Sequence, residues 1–148
     1  MADRLQLDDF LPYRLSITSN LVSDRIARTY EALFGLSIPE WRLVAVIAET
    51  GAITQAELGE RTRMDKVTVS RAAIALTGRG LLARAPNESD RRSHHLSLTR
   101  EGQALYEAVA PKALAMEREL FARFSAEELA AFTAMLRRID EAAREDPA

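Results

Sequence analysis

The sequence predicts a mainly α-helical protein in which one β-hairpin interrupts the succession of helices. Three observations support this prediction: apolar residues recur at helical spacing over most of the chain, capping residues mark the helix starts, and one short stretch alternates polar with apolar residues. The chain has 148 residues, of which 47% are hydrophobic and 28% charged, and this length suffices to bury a core within a single domain.

A long amphipathic helix is predicted from about Asp9 to Phe34, and Gly35 ends it. Its apolar residues recur at steps of three, four and seven residues and together form a wide stripe. The stripe consists of Phe10, Leu11, Leu15, Ile17, Leu21, Val22, Ile26, Leu33 and Phe34. Such a wide stripe indicates that the helix contacts more than one neighbour.

Capping signals predict three more helices before the hairpin. Capping boxes at Ser37–Glu40 and Thr54–Glu57 begin the second and third helices, and the third ends near Arg61. Asp65 can cap a fourth helix that extends from Lys66 to about Gly78. The third and fourth helices are therefore short and are joined by a tight turn.

The hairpin follows the fourth helix at once. Its predicted strands are residues 81–85 and 95–98, with the turn-forming residues 86–90 after the first strand. Thr99 then caps a long helix, and Ser125 begins the last one. Two short helices with a tight turn, followed directly by a hairpin, are the layout of a winged helix-turn-helix with a two-stranded β wing.

Charge is distributed unevenly along the chain. The formal net charge is -2, yet residues 54–100 contain nine Lys or Arg against five Asp or Glu. A basic middle between acidic ends is typical of a phosphate-binding module on an acidic scaffold. The alternative interpretation is a surface whose charge is merely uneven.

The fourth helix is predicted to be the recognition helix. If Val69, Ala72, Ala73 and Leu76 pack inward, short hydroxyls, cations and apolar groups remain outside. These outer residues are Lys66, Val67, Thr68, Ser70, Arg71 and Ile74. Cations can bond guanine edges, hydroxyls can bond bases or phosphates, and a valine can contact a thymine methyl group. The alternative is a polar helix start with capping hydroxyls.

Two other segments are predicted to contact DNA. Thr54 and Gln55 lie at the start of the third helix, where free backbone N–H groups suit phosphate, although the capping box alone also explains them. Asp90, Arg91 and Arg92 lie at the hairpin tip, where an arginine can enter a minor groove and Asp90 can hold it in place. The alternative for the tip is a solvated turn.

The segment from Asp90 to Thr99 resembles the wing signature of the MarR family of regulators, and Val69–Arg71, Leu76, Gly80–Leu82 and Leu36–Arg42 resemble other parts of that family. The resemblance implies a homodimer joined by residues 1–35 and 100–148, with a DNA-binding lobe at 36–99 that binds a pseudo-palindromic DNA operator. It also implies a repressor that a small aromatic or phenolic ligand releases. The absence of cysteine argues against thiol-based oxidant sensing, and Ile74 and Ala75 depart from the Asp-Arg pair of many members.

Five residues are candidates for an effector pocket because they are polar or amphipathic groups on apolar helices. They are Tyr13, Arg14, Asn20, Trp41 and Arg42. An arginine with aromatic neighbours would suit an aromatic acid or its thioester. The alternative is that Trp41 belongs to the core and that the arginines form structural ion pairs.

Other classes of function find little support. The chain has no Gly-rich phosphate loop and no recognisable catalytic set, so we expect no enzyme and no cofactor. His94 and His95 are neighbours on a strand and point to opposite faces, which makes a metal site improbable. Without a signal peptide or a long apolar run, a cytoplasmic protein is expected. The second candidate function is a winged-helix module for protein interaction without specific DNA binding, which the salt dependence of DNA binding would distinguish.

Overall fold

The computed structural model describes residues 3–90 and 92–145. These residues form six α-helices and three short strands, preceded by a single 3-10 turn at Leu7–Asp9. In chain order the elements are α1 (Leu11–Phe34), α2 (Ile38–Thr50), β1 (Ile53–Thr54), α3 (Gln55–Thr62), α4 (Lys66–Gly78), β2 (Leu82–Pro86), β3 (His94–Leu98), α5 (Arg100–Leu120) and α6 (Ala126–Arg144). The chain divides into two compact units, residues 1–110 and residues 111–148.

The helix boundaries in the first unit follow the capping signals. Gly35 ends α1 in the left-handed conformation, with φ of 62°, which glycine adopts without steric cost. Ser37 and Glu40 form the predicted capping box of α2: the Glu40 N–H donates to Ser37 Oγ at 3.2 Å, and the Ser37 N–H donates to Glu40 Oε1 at 2.7 Å. Each such cap stabilises its helix by about 1 kcal/mol.

The core of the first unit lies where α2, α3 and α4 meet the sheet. The largest fully buried side chains are Leu36, Leu43, Val44, Ile47, Leu58, Val69, Leu76, Leu96 and Val109. Val69, Ala72, Ala73 and Leu76 form the buried face of α4, as the sequence predicts. This packing fixes which side chains of α4 remain outside.

The sheet has three antiparallel strands in the order β1-β3-β2, so the predicted fold class is confirmed with one strand more than the sequence indicates. β1 has only two residues, Ile53 opposite Leu96 and Thr54 opposite His95. So short a strand leaves no alternation of polar and apolar residues to detect. Its consequence is that the hairpin is hydrogen-bonded to the segment that begins α3.

A tight junction connects the end of α4 and β2 to the start of α5. Thr99 Oγ1 donates to the Gly80 carbonyl oxygen at 2.6 Å and accepts the Gly102 N–H at 3.0 Å, while the Thr99 N–H donates to the Leu81 carbonyl oxygen at 3.1 Å. A Cβ atom at Gly102 would overlap the Leu81 carbonyl oxygen. Only glycine therefore allows α5 to begin this close to the hairpin.

The second unit contains the remainder of α5 and all of α6. Ser125 and Glu128 form the predicted capping box of α6, with bonds of 3.1 Å and 2.9 Å. Several large apolar side chains of this unit remain exposed: Leu114, Phe124, Phe132, Met135 and Ile139. In the part of the chain that the structure describes, no helix combines the length and the apolar character that crossing a bilayer requires.

Candidate nucleic-acid interface

The outer face of α4 carries the cations, hydroxyls and apolar groups that the sequence assigns to DNA. Lys66, Val67 and Arg71 are exposed, whereas Thr68 and Ser70 are half-buried. Val67 is 59% exposed, as is Ile74 seven residues further on, so both lie on the same side of the helix. Exposed β-branched apolar side chains are unfavourable in water but suit a surface that contacts thymine methyl groups.

The start of α4 is held by Asp65. Its Oδ1 atom accepts the Thr68 N–H at 2.8 Å, and this backbone hydrogen bond, followed by that of the Thr68 side chain, lowers the pKa of Asp65. The carboxylate thus stays charged at neutral pH and satisfies an N–H group that the helix leaves free. The cap fixes the direction in which the first turn of α4 presents Lys66 and Val67.

Thr54 is largely buried at the start of α3 and caps this helix. It is only 7% exposed, its hydroxyl accepts the Glu57 N–H at 3.2 Å, and the same hydroxyl donates to Glu57 Oε1 at 3.0 Å. This differs from the predicted capping box because the Glu57 carboxylate bonds the Thr54 hydroxyl in place of its backbone N–H. Gln55, which is half-buried, is the residue at this helix start whose side chain remains available.

The tip of the wing is shaped by side chains that bond the backbone. The Asn87 amide nitrogen donates to Ser93 Oγ at 2.9 Å, and its Oδ1 accepts the Ser89 N–H at 3.1 Å. Asp90 Oδ1 accepts the Arg92 N–H at 2.9 Å. Asp90 therefore positions the backbone that carries the exposed Arg92. Arg91, which the sequence also assigns to DNA, lies outside the described residues.

Sequence reasoning overlooked Arg79, which links two helix ends. Its guanidinium donates to the carbonyl oxygen of Gly35 at 2.9 Å and to that of Phe34 at 3.3 Å. Carbonyl groups at the C-terminus of a helix have no partner within the helix, and a basic side chain can satisfy them. The sequence does indicate that the carbonyl groups at the end of α1 need hydrogen-bond donors. Only the fold shows that Arg79 is the residue that donates to them.

Three aromatic rings from α1, α2 and α5 form one cluster, in which Trp41 is tilted by 45° against Tyr30 and stacked on Tyr106. The Trp41 ring centroid lies 5.5 Å from that of Tyr30 and 5.8 Å from that of Tyr106, the latter pair with an interplanar angle of only 14°. Burial raises the pKa of the Tyr30 phenol, so it stays protonated and neutral at physiological pH. Sequence analysis named Trp41 but neither tyrosine.

The other predicted effector residues do not join this cluster within one protomer. Tyr13, Arg14 and Asn20 precede Tyr30 on α1 by 10 to 17 residues, which corresponds to roughly 15–26 Å along a helix axis. Arg14 donates to Thr18 Oγ1 at 3.3 Å within its own helix. Arg42 and Asn20 are exposed. The five candidates therefore form separate groups, of which only Trp41 has aromatic neighbours.

Comparison with known proteins agrees with this geometry. The model of the MarR family matches residues 34–93, which contain the helix-turn-helix and β2 but end before β3. The transcriptional regulator HosA of Escherichia coli O157:H7 is 29% identical over 119 residues, which cover 80% of this chain and 88% of HosA. The homoprotocatechuate degradative operon repressor of Escherichia coli is 29% identical over 101 residues, or 68% of each chain. A MarR family regulator from Streptomyces coelicolor, solved in complex with DNA, has the same fold, with a TM-score of 0.86 at 22% identity, covering 100% of this chain and 95% of that one.

The family model and the curated relatives support a winged-helix regulator of the MarR family. These comparisons support a DNA-binding regulator of transcription, and such regulators are not enzymes. The MarR family assignment disfavours the second candidate function, a module for protein interaction without DNA binding. Within the described residues, no cluster of three or more potential ligands that could hold a metal ion is found.

Proposed function

We propose that this protein is a homodimeric repressor that binds a pseudo-palindromic operator and is released by a small aromatic acid or its thioester. The proposal of DNA binding rests on the outer face of α4, where Lys66, Val67 and Arg71 are exposed. The opposite face of α4 is buried, and its packing fixes the orientation of the helix. We assign residues 36–99 to the DNA-binding lobe. Since its DNA ligand lies in the bacterial cytoplasm, the protein would act there.

Each protomer would insert α4 into the major groove and the wing into the adjacent minor groove. Lys66 and Arg71 would bond guanine edges or phosphates, Thr68 and Ser70 would bond bases or phosphates, and Gln55 would contact the backbone. Arg91 and Arg92 would lie in the minor groove, and the hydrogen bond from the Arg92 N–H to Asp90 would hold the backbone that presents Arg92. Two-fold symmetry then favours a pseudo-palindromic operator with half-sites about one helical turn apart.

A homodimer accounts for the exposed apolar side chains. In the first unit Leu11 is 70% exposed and Leu21 64% exposed, although both belong to the wide apolar stripe of α1. In the second unit Phe132 and Met135 are 43% and 50% exposed. Exposed apolar patches generally mark a contact surface, and a second copy of the chain would cover those of each unit. The first helix and the last two helices would form that contact.

Replacing Arg92 with alanine is expected to weaken binding to the operator by roughly 10-fold or more, because each protomer loses a charge-assisted contact in the minor groove. Fluorescence anisotropy would compare the DNA upstream of the protein's own gene with a scrambled duplex, each at two salt concentrations. Arg138→Ala, which removes an exposed arginine of α6, serves as the control and should bind like the wild type.

The same titrations decide the proposed function. Preference for the native fragment, with affinity that falls steeply as salt rises, would support it. Equal and weak binding to both duplexes, with no difference between the Arg92 and Arg138 variants, would contradict binding to this fragment and would require a search for the operator elsewhere on the chromosome.

The effector is proposed from the aromatic cluster of Tyr30, Trp41 and Tyr106. Flat rings offer faces on which an aromatic ligand can stack, and Trp41 and Tyr106 are both half-buried. The name of one relative connects that protein with the degradation of homoprotocatechuate, a phenolic acid. By analogy we propose a phenolic or cinnamic acid, or its thioester, as the effector. Tyr13, Arg14, Asn20 and Arg42 stay proposed as further ligand contacts.

Adding a hydroxycinnamoyl thioester or its free acid to the complex of protein and operator is expected to release the protein, whereas acetate should not. Trp41→Leu keeps an apolar side chain but removes the stacking surface, so it should bind the operator normally and need roughly 10-fold more ligand for release. Anisotropy reports the release, and thermal shift reports ligand binding in the absence of DNA. If aromatic ligands raise the melting temperature of both proteins equally, the ligand binds elsewhere.

A further inference from the structure

We propose that Arg63, in the turn between α3 and α4, contacts a DNA phosphate at the edge of the major groove. This inference rests on the proposed operator binding and adds a residue that motif analysis did not single out. The inference rests on two properties of Arg63. Its backbone is in the left-handed conformation, and its guanidinium group is exposed and available for a ligand.

Arg63 occupies a backbone conformation that favours glycine. Its φ is 61°, and it is the one non-glycine residue with positive φ in the described part of the chain. The Arg63 N–H donates to the Gly59 carbonyl oxygen at 2.8 Å, which ends α3 and holds the turn in this form. A side chain in the left-handed region crowds the following carbonyl group, so glycine would be more stable here. A non-glycine residue at a strained backbone position indicates that its side chain has a function.

The charge of Arg63 is available for a ligand, in contrast to that of two other arginines, at the ends of α3 and α4. Arg61 forms an ion pair with Glu49 at 3.9 Å, and Arg79 donates to the carbonyl groups that end α1. Arg63 is exposed, and no hydrogen bond or ion pair of its guanidinium is found with any described residue. Arg63, the residue with the strained backbone, is thus also the residue of this turn whose charge is available to bind DNA.

The position of Arg63 brings it to the border of the proposed DNA interface. It precedes the capping residue Asp65 by two residues and Lys66, the first residue of α4, by three. An α-helix with its side chains is about 10–12 Å wide, and the major groove is about 12 Å wide. A helix inserted at its N-terminus therefore lies close to the phosphates on both sides. A long cationic side chain just before that terminus reaches phosphate and not base edges.

Replacing Arg63 with glycine should change folding and binding in opposite directions. The glycine relieves the strained backbone, so the melting temperature should rise by about 2–4 °C. DNA affinity should fall by about 10- to 30-fold near physiological salt, because a dimer loses two phosphate contacts. The slope of log K against log salt should become shallower by about 1.8, and operator and scrambled duplex should be affected equally.

Two matched variants separate a charge effect from a change in the turn. Arg63→Asn tolerates the left-handed conformation without a charge and should reproduce the shallower salt slope. Arg63→Lys keeps the charge and should keep most of the wild-type slope. A wild-type slope in Arg63→Gly, or a melting temperature that falls in this variant, would overturn the proposal. Failure of the operator proposal is recognised separately, because the wild-type protein would then not prefer the native fragment.

Discussion

Replacing Phe132 of α6 with glutamate is expected to dissociate the proposed dimer and to weaken binding to the proposed operator by roughly 100- to 10,000-fold. Phe132 is 43% exposed and shares one face of α6 with Met135 and Ile139, which are 50% and 43% exposed. A charge on this face would have to be buried against the second copy, and burial of an unpaired charge is costly. A monomer then binds a single half-site and loses the additional affinity that a dimer obtains by binding both half-sites at once.

Ala130→Glu provides the matched control for this substitution. Ala130 is exposed and lies two residues before Phe132, so at about 100° per residue it faces nearly the opposite side of α6. Glutamate favours helix formation, and neither change should disturb the helix itself. Sedimentation velocity would measure the oligomeric state, and anisotropy would measure operator affinity. A dimeric Phe132→Glu protein with wild-type affinity would show that this face of α6 lies outside the dimer interface.

Replacing Gly102 with alanine is expected to reduce the free energy of unfolding by about 1–3 kcal/mol. The added methyl group would overlap the Leu81 carbonyl oxygen and lie within 3.2 Å of a Leu98 methyl carbon, and both neighbours belong to the hairpin or its start. To make room, α5 must move away from the hairpin, and this strains the hydrogen bonds of Thr99 to Gly80 and Leu81. Because the wing begins here, operator affinity should fall as well.

Gly78 offers the control because a Cβ atom there would meet nothing within 4 Å. Gly78→Ala should leave stability unchanged or raise it slightly, since alanine is less flexible than glycine in the unfolded chain. Urea unfolding followed by circular dichroism would compare the two variants with the wild type. If both variants unfold at the wild-type midpoint, the junction between Leu81 and α5 is looser than the structure indicates.

Much of the fold was predictable because its signals are local. The capping residues Ser37, Asp65 and Ser125 each accept a backbone N–H within their own helix start, so the sequence shows them directly. The buried face of α4 follows from helical spacing alone. The residues of α4 that are proposed to bind DNA were identified in the same way, because they occupy the positions that the core does not need.

Other features escaped prediction because they depend on contacts between distant segments. β1 exists only through its pairing with β3, and its two residues have no pattern of their own. The stacking of Trp41 with Tyr106 joins residues 65 positions apart. Arg63 adopts its left-handed conformation because the turn must bring α4 against α3, although local preference favours glycine.

The sequence by itself therefore determined where the helices begin, which face of each is apolar, and which type of ligand the basic middle segment suits. Those properties depend on neighbours within one or two helical turns. Only the tertiary structure decided that Thr54 is buried, that Arg79 closes the end of α1, and that Gly102 must lack a side chain. The physical reason is that each of these features depends on a second segment that is distant in sequence. That segment supplies either the hydrogen-bonding group or the atoms that fill the space, and it is brought close only when the chain packs.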